Sequence, residues 1–500
     1  MGNSRIEALP GSARIVLWLA TATITGAIIM SMELAAFRLY APYFGYSIFV
    51  WGSMISVVMA ALAGGYTLGG WLADTCRSEV VLYSVILATG IYQLVVVFIA
   101  RSVLVWLWQS GDFVGPVIAT CIIFVPPMTG LAATSPFVIR LLAPTERIGF
   151  AAGGVFTLST AGSIAGILTT SFYLVPHFGT RSTLKLLCAL SILLGTIGLA
   201  TRKMRAAVSA LLLTPLFFVP KPTFPPAVVW TTESAYNWVA VLRKEGLQWL
   251  VLNDPHYSQT IHKIGENRSG YYFDEFALGP LLVPARRVLV LGMGGGATIQ
   301  VTRALAPTAQ IDAVEIDPKV VEVAVNFFGL HTDDPNLHVY VADARPWLAL
   351  HQTVYDIVHV DLYQGGPYVP FYLATQEFFR LVRDRMSDDG VLIVNVYDLT
   401  KNRELLQATG ATLKCVFASL AVVSRPDGNH VVFAFPHKRP ANGIAESLRA
   451  AKDPAWIQLT AHAAASSIVD FEPPAGTAIF TDDRAPIEEM TRRMLLAGQK

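Results

Sequence analysis

The sequence predicts a two-part protein, an N-terminal polytopic α-helical membrane bundle followed by a C-terminal α/β, Rossmann-like domain. Three observations carry this prediction. Long apolar stretches recur through the first 220 residues. A proline-dense connector, PKPTFPP from Pro220 to Pro226, ends them. Beyond it, strand-like apolar runs alternate with helical patterns, beginning with VLVLGMGGGATIQ at Val288 and IDAVEIDP at Ile311. The expected boundaries are 1–220 for the bundle, 221–230 for the linker and 231–500 for the second domain.

Composition supports the split. The chain has 500 residues, more than one ordinary domain holds. It is 53% hydrophobic and only 15% charged, against about 25% charged in soluble domains. A net charge of +1 gives no electrostatic case for nucleic-acid binding. The four cysteines, Cys76, Cys121, Cys188 and Cys415, are not spaced for a metal site or a disulfide framework.

In the first half the apolar stretches are 15–37, 48–73, 80–100, 114–142, 150–175, 183–200 and 206–219. A bilayer crossing takes about 20 apolar residues. Six stretches meet that length, and the seventh is short and contains Pro215. The first is too long for a signal peptide and lacks a small-residue cleavage site. Arg5, Arg14, Arg77, Arg140, Arg147, Arg202, Lys203 and Arg205 favour one side. The positive-inside rule puts the amino terminus in the cytoplasm. With six crossings the second domain is cytoplasmic too, in a multi-pass protein of the inner cell membrane. Glu33 lies late in the first stretch, where a carboxylate faces either a polar cavity or a partner such as Arg38.

After the linker, TTESAYNWVAVLRKEGLQWLVLND from Thr231 has short alternating runs split by Lys-Glu-Gly and reads as a small β-hairpin region. The βα alternation follows. Strands are expected at 288–291, 311–315, 337–341, 357–360 and 391–396, with helices at 297–306, 319–328 and 375–386. Such alternation implies a parallel sheet covered on both faces, with the ligand at the carboxyl ends of the strands. Each of the first four strands ends in a chemically useful residue: Gly292, Glu315, Asp343 and Asp361.

The glycine turn, with Gly292, Gly294 and Gly296, lets main chain approach a ligand, and Glu315 can accept from both ribose hydroxyls. That much fits a dinucleotide and S-adenosylmethionine equally. Asp343 with Ala344 suits an acid capping an adenine amino group, and YDIVHVD from Tyr355 delivers Asp361 beside the reacting end. These two features favour a sulfonium nucleoside.

The second half resembles the spermidine synthase family of aminopropyltransferases. ESAYN from Glu233, YYFDEFALGPLL from Tyr271, VLVLGMGGG, VEIDP, Asp343-Ala344 and YDIVHVD carry the resemblance across most of residues 230–400. The membrane half, through ELAAFRLYAPYFG and VWGSMISVVMAALAGGYTLGGWLAD, and the tail TDDRAPIE from Thr481 are similar to bacterial proteins that fuse a transporter-like bundle to such a domain. The resemblance implies an S-adenosylmethionine-dependent methyltransferase-type fold. It also implies transfer of an aminopropyl group from decarboxylated S-adenosylmethionine to an amine or polyamine, without a metal.

By the same resemblance, Asp361 is the catalytic acid that takes the proton. Tyr272, Asp274, Gln364 and Gln259 face the amine or the nucleoside. Gly292, Gly294, Gly296, Glu315, Asp343 and Ala344 hold the donor. Two positions depart from the family pattern: Gly295 and Gln364 stand where it has aspartates. Those departures keep two alternatives open, a methyltransferase using unmodified S-adenosylmethionine and a transporter or sensor with a non-catalytic nucleoside- or polyamine-binding domain. The expected partners are the amine, the lipid bilayer and, as an open option, a second copy in a homo-oligomer. Asp482 and Asp483 form either a solvated cap or a lid over the site.

Overall fold

The computed structural model describes residues 11–44, 48–107, 110, 113–142, 148–199, 205–219, 225–254, 256–266, 268–439 and 468–498. Arg5, Arg147, Arg202, Lys203 and most of the proline connector lie outside the described residues. The chain divides into two compact units, Met1–Thr223 and Phe224–Lys500.

The described residues of the first unit form helices: α1 (Ser12–Phe44), α2 (Ile48–Thr75), α3 (Glu79–Leu107), α4 (Val114–Ile123), α5 (Val125–Ala132), α6 (Thr134–Leu142), α7 (Ile148–Thr169), α8 (Val175–Leu199) and α9 (Arg205–Leu213). Among the described residues, four helical runs could cross a membrane by length and composition, or five if the pair 114–123 and 125–142, bent by 50°, is one span. This is fewer than the six or seven stretches the sequence suggests. A π-helical turn joins α7 to α8, so two of those stretches form one continuous run, 148–199. Gly179, with φ 77° and ψ 165°, breaks that run. The seventh stretch holds α9 followed directly by a 3₁₀ segment, Thr214–Phe218, together about 24 Å of helix and short of the roughly 30 Å of a bilayer's hydrocarbon core.

Helices α1 and α7 pack through small residues. A Cβ on Gly162 would sit 2.0 Å from the Thr23 carbonyl oxygen, and one on Gly166 2.4 Å from that of Ala27. Close backbone approach of this kind is how helices associate where no hydrophobic drive exists between them.

The second unit opens with an antiparallel meander, β1 (Val228–Glu233), β2 (Trp238–Lys244), β3 (Leu247–Leu252) and β4 (Ser258–Lys263), paired in that order. The expected hairpin is therefore the middle of a four-stranded sheet, and β1 starts inside the expected linker 221–230. Glu245 and Gly246, both at positive φ, make the two-residue turn between β2 and β3, the geometry that matches strand twist.

Next come α10 (Gly279–Leu282), β5 (Arg287–Leu291), α11 (Ala297–Leu305), β6 (Gln310–Glu315), α12 (Pro318–Phe328), β7 (Leu337–Val341), α13 (Ala344–Leu350), β8 (Tyr355–Val360), α14 (Gln376–Arg383), β9 (Met386–Tyr397) and α15 (Glu404–Lys414). Then follow β10 (Ser419–Ser424), β11 (Asn429–Phe435), β12 (Ile468–Asp470) and α16 (Ile487–Gly498).

The large sheet runs β12-β10-β11-β9-β8-β5-β6-β7. β7, β6, β5, β8 and β9 are mutually parallel, while β11 and its neighbours β9 and β10 are antiparallel. The sheet is mixed rather than wholly parallel: β10 and β11 form a hairpin, which cannot add parallel to β9 without a crossover. Apolar residues cover both faces, Leu289, Val358 and Leu392 packing with α14 and α15 on one, and Val290, Ile311 and Ile393 with Phe276 on the other. β5 and β8 are neighbours, yet the chain leaves β5 toward β6 on its other side. That reversal opens a crevice at their carboxyl ends, where open α/β sheets bind ligands.

Candidate active site

The crevice is a cleft of about 970 Å³. Gly292 forms its floor at φ 81°, where a Cβ would lie 2.3 Å from the Asp361 carbonyl oxygen. Its amide donates to the Val314 carbonyl, and the Asp361 amide donates to Leu291. Only glycine fits where β5, β6 and β8 converge this closely. Gly294 (φ 52°) and Gly296 (φ 83°) continue the turn into α11.

Glu315, at the tip of β6, accepts from the Gly294 amide at 3.1 Å and the Asp317 amide at 3.1 Å. Burial outweighs those bonds and pushes its carboxyl up to about 7. Asp317, wholly buried, caps α12 by accepting from the Lys319 amide. It also accepts from Ser234 Oγ at 2.5 Å and Asn237 Nδ2 at 2.9 Å. Asn237 in turn accepts from Asn253 Nδ2, which also reaches the Gln364 carbonyl. A chain of buried amides thus ties the meander to the loop after β8. ESAYN shows its motif in sequence, but nothing local marks Asn253 as its partner.

Asp343 caps α13 through the Arg345 amide and accepts from the Tyr372 hydroxyl at 2.8 Å. Asp343, Ala344 and Tyr372 all line the cleft. Asp361, just beyond β8, accepts from the Tyr272 hydroxyl at 2.9 Å and from Asn395 Nδ2 at 3.1 Å. Burial outweighs both bonds and pushes its carboxyl up to about 6. A carboxylate so poised can take a proton near neutral pH. Tyr272 is pushed well above the usual phenol range by its own burial and the Asp361 charge, so it remains a donor. Asn395, on β9, has no signature in sequence, since one asparagine in an apolar strand resembles any other.

Gln259 and Gln364 line the cleft, and Gln259 Nε2 donates to the Gly366 carbonyl at 3.3 Å. Asp274 is placed differently. Its carboxylate accepts from the Ser269 amide, Ser269 Oγ and the Gly270 amide, and it is not among the cleft's lining residues. An acid two residues after Tyr272 lies in a 3₁₀ turn, which turns it to the preceding loop and away from the Tyr272–Asp361 pair. Gly295 is filled from outside: its amide donates to Thr260 Oγ1 at 2.8 Å, and a Cβ there would meet Thr260 Cγ2 at 2.8 Å. Asp482 bonds Arg345 and Thr375 and lies outside the cleft lining. Among the described residues no three His, Cys, Asp or Glu side chains gather as metal ligands.

The chain is 28% identical over 273 residues to a probable polyamine aminopropyl transferase of Bifidobacterium longum, covering 51% of this chain and 60% of that one. It is 30% identical over 182 residues to a polyamine aminopropyltransferase of Vibrio vulnificus, covering 35% and 59%. It is also 30% identical over 178 residues to the human eEF1A lysine and N-terminal methyltransferase, covering 33% and 25%. The chain thus spans about three-fifths of the length of the two aminopropyl transferases. Residues 276–432, which hold the glycine turn, Glu315, Asp343 and Asp361, match the model of the spermine/spermidine synthase domain family.

Proposed function

We propose that the protein is a membrane-bound aminopropyltransferase that moves an aminopropyl group from decarboxylated S-adenosylmethionine to an amine. The observation that carries this reading is the Tyr272–Asp361–Asn395 cluster at the mouth of β8. Its Asp361 lines a cleft whose described lining also holds Glu315 and Asp343 but no Lys, Arg or His, while Tyr272 and Asn395 stand behind it. A doubly cationic donor suits such a lining, and a free carboxylate on the donor has no cationic side chain to meet there.

The amine nitrogen attacks the propyl carbon bonded to sulfur. The carbon–sulfur bond breaks, and its electron pair stays on sulfur, giving the neutral thioether methylthioadenosine. Asp361 accepts the amine's proton, and Tyr272 and Asn395 hold its two oxygens so that the carboxylate faces the attacking nitrogen. Glu315 and the Gly292–Gly296 turn would take the ribose. Asp343 and Ala344 would take the adenine, and Gln259 and Gln364 the region between nucleoside and amine. Gln364 offers a dipole where a carboxylate would bind an ammonium, so the acceptor carries less charge at its far end than a diamine.

The four or five long apolar helices support a place in the lipid bilayer. A second reading, methyl transfer from S-adenosylmethionine, is favoured by Gly295, which presents no acid to the donor's amine. The experiment is product analysis on the purified full chain, given each donor with a panel of amines. Methylthioadenosine from the decarboxylated donor supports the proposal. S-Adenosylhomocysteine as sole product, or no product, refutes it.

A further inference from the structure

The cleft wall is not self-supporting. Asp343, Ala344 and Tyr372 line it, and their geometry depends on Arg345, which does not. Arg345 donates through its amide to Asp343 and through Nη1 to the Tyr372 carbonyl at 2.9 Å. Tyr372 then closes back on Asp343. The guanidinium is held from outside by Asp482, in a paired contact of Nη1 to Oδ1 at 2.8 Å and Nη2 to Oδ2 at 2.6 Å.

The same carboxylate accepts from Thr375 Oγ1 at 2.7 Å. Thr375 is fully buried, caps α14, and ends the loop that begins at Asp361. Asp482 therefore fixes both the far end of that loop and the arginine beneath α13. Its own backbone is pinned. Its amide donates to Glu377, and the Phe480 carbonyl accepts from the Gln376 amide while Phe480 itself is buried in the core. Thr481 and Arg484 pair across the turn. The Arg345 partnership holds the Asp482 carboxyl below its ordinary range.

We infer that Asp482 is a positioning residue, a C-terminal latch that acts through Arg345 and Thr375 to set the Asp343–Tyr372 wall for a nucleoside. A tail residue 137 positions downstream of Arg345 thus shapes the adenine end of the cleft without touching it. A planar, two-point guanidinium–carboxylate contact sets direction as well as distance, which a lysine or an amide does not reproduce.

The inference rests on the proposed nucleoside site. Its test is isothermal titration of methylthioadenosine into the purified full chain and into Asp482→Asn, Asp482→Glu, Arg345→Gln and the Asp482→Asn/Arg345→Gln double variant, with thermal unfolding recorded for each. Losing one charged pair weakens binding about tenfold in Asp482→Asn and Arg345→Gln. Asp482→Glu, which keeps the charge, recovers most of that loss. The loss in the double variant is smaller than the product of the two single losses, because both variants break the shared Arg345–Asp482 contact. A purely structural role would lower the unfolding temperature while leaving affinity unchanged in the folded fraction. Unchanged affinity in Asp482→Asn, or losses that multiply in the double variant, overturns the latch. Absence of binding by the wild-type chain overturns the nucleoside site itself, and the latch with it.

Discussion

On the proposed mechanism, Asp361 is a residue shaped for chemistry at the expense of the fold. Its folded value of about 6 lies above the ordinary 3.8. The protonated form is therefore the one the folded state favours. Its contribution to stability is complete below the ordinary value and is lost as pH rises through about 6. The cost of the ionised form is at most roughly 3 kcal/mol. Asp361→Asn should therefore lower turnover by about 10²–10⁴ without lowering the unfolding temperature at pH above 7. A calorimetric scan in which the variant melts well below wild type there would contradict this. Wild-type turnover should rise with pH through about 6, since the ionised acid is the form that accepts the proton.

His359, two residues earlier in β8, is the contrasting case. It is fully buried against the Phe276 ring, neither ring nitrogen has a hydrogen-bond partner, and burial pushes it down to about 3. Replacing unpaired polar atoms by apolar ones of similar size is neutral or stabilising. His359→Leu should keep or raise stability by about 1–2 kcal/mol, read from denaturant unfolding. A clear loss would mean that the histidine has a role in the fold that its contacts do not reveal.

Among elements, those with a local period were legible and those made by long-range pairing were not. β5 through β9 announce themselves as apolar runs, and β5 to β8 each end at or just before a residue that lines the cleft. The meander was only half legible, because β1 and β4 join it by edge pairing that no turn motif declares. β12 likewise pairs with β10 across a long sequence interval. The roles of Thr260, Asn253 and Asn395 arise only when separate elements meet, so polar residues in apolar strands looked interchangeable. Asp274 was misleading for the same reason: its distance from Tyr272 in sequence is short, but the 3₁₀ turn sends the two side chains apart.

The contact of β4 with the glycine turn carries its own prediction. Gly295→Asp would force a Cβ against Thr260 Cγ2, and misplacing the turn should weaken nucleoside binding about tenfold or more. Adding Thr260→Ser removes that methyl and keeps the hydroxyl that accepts from the Gly295 amide, but Thr260 Cβ at 3.0 Å and Phe328 Cδ1 at 3.1 Å still crowd the site, so binding should return in part. Titration showing the double variant no better than Gly295→Asp would mean that the Thr260 methyl is not what excludes the acid.

At the scale of the whole molecule, each unit encloses its own apolar clusters: the first between α1, α2 and α3, the second on the two faces of the large sheet. Apolar content alone foretold two parts, because a sheet-based domain and a bundle of long apolar helices bury their surface by different rules. The number of crossings was less legible, since hydropathy separates 150–175 from 183–200 but does not register the π-helical turn that joins them into one run, 148–199. It matters for function, because an odd count would put the cleft on the side away from cytosolic nucleosides. An even count, the expectation from the sequence, would put the second unit on the same side as the amino terminus. The basic residues Arg14, Arg77 and Arg140 favour that side as the cytoplasm. Protease added to intact spheroplasts should therefore leave the second unit uncut, and permeabilised ones should lose it. Cleavage of the second unit in intact spheroplasts would place the cleft outside. The donor would then have to be exported to reach Asp361, and an aminopropyl transfer using cytosolic substrates would no longer be tenable.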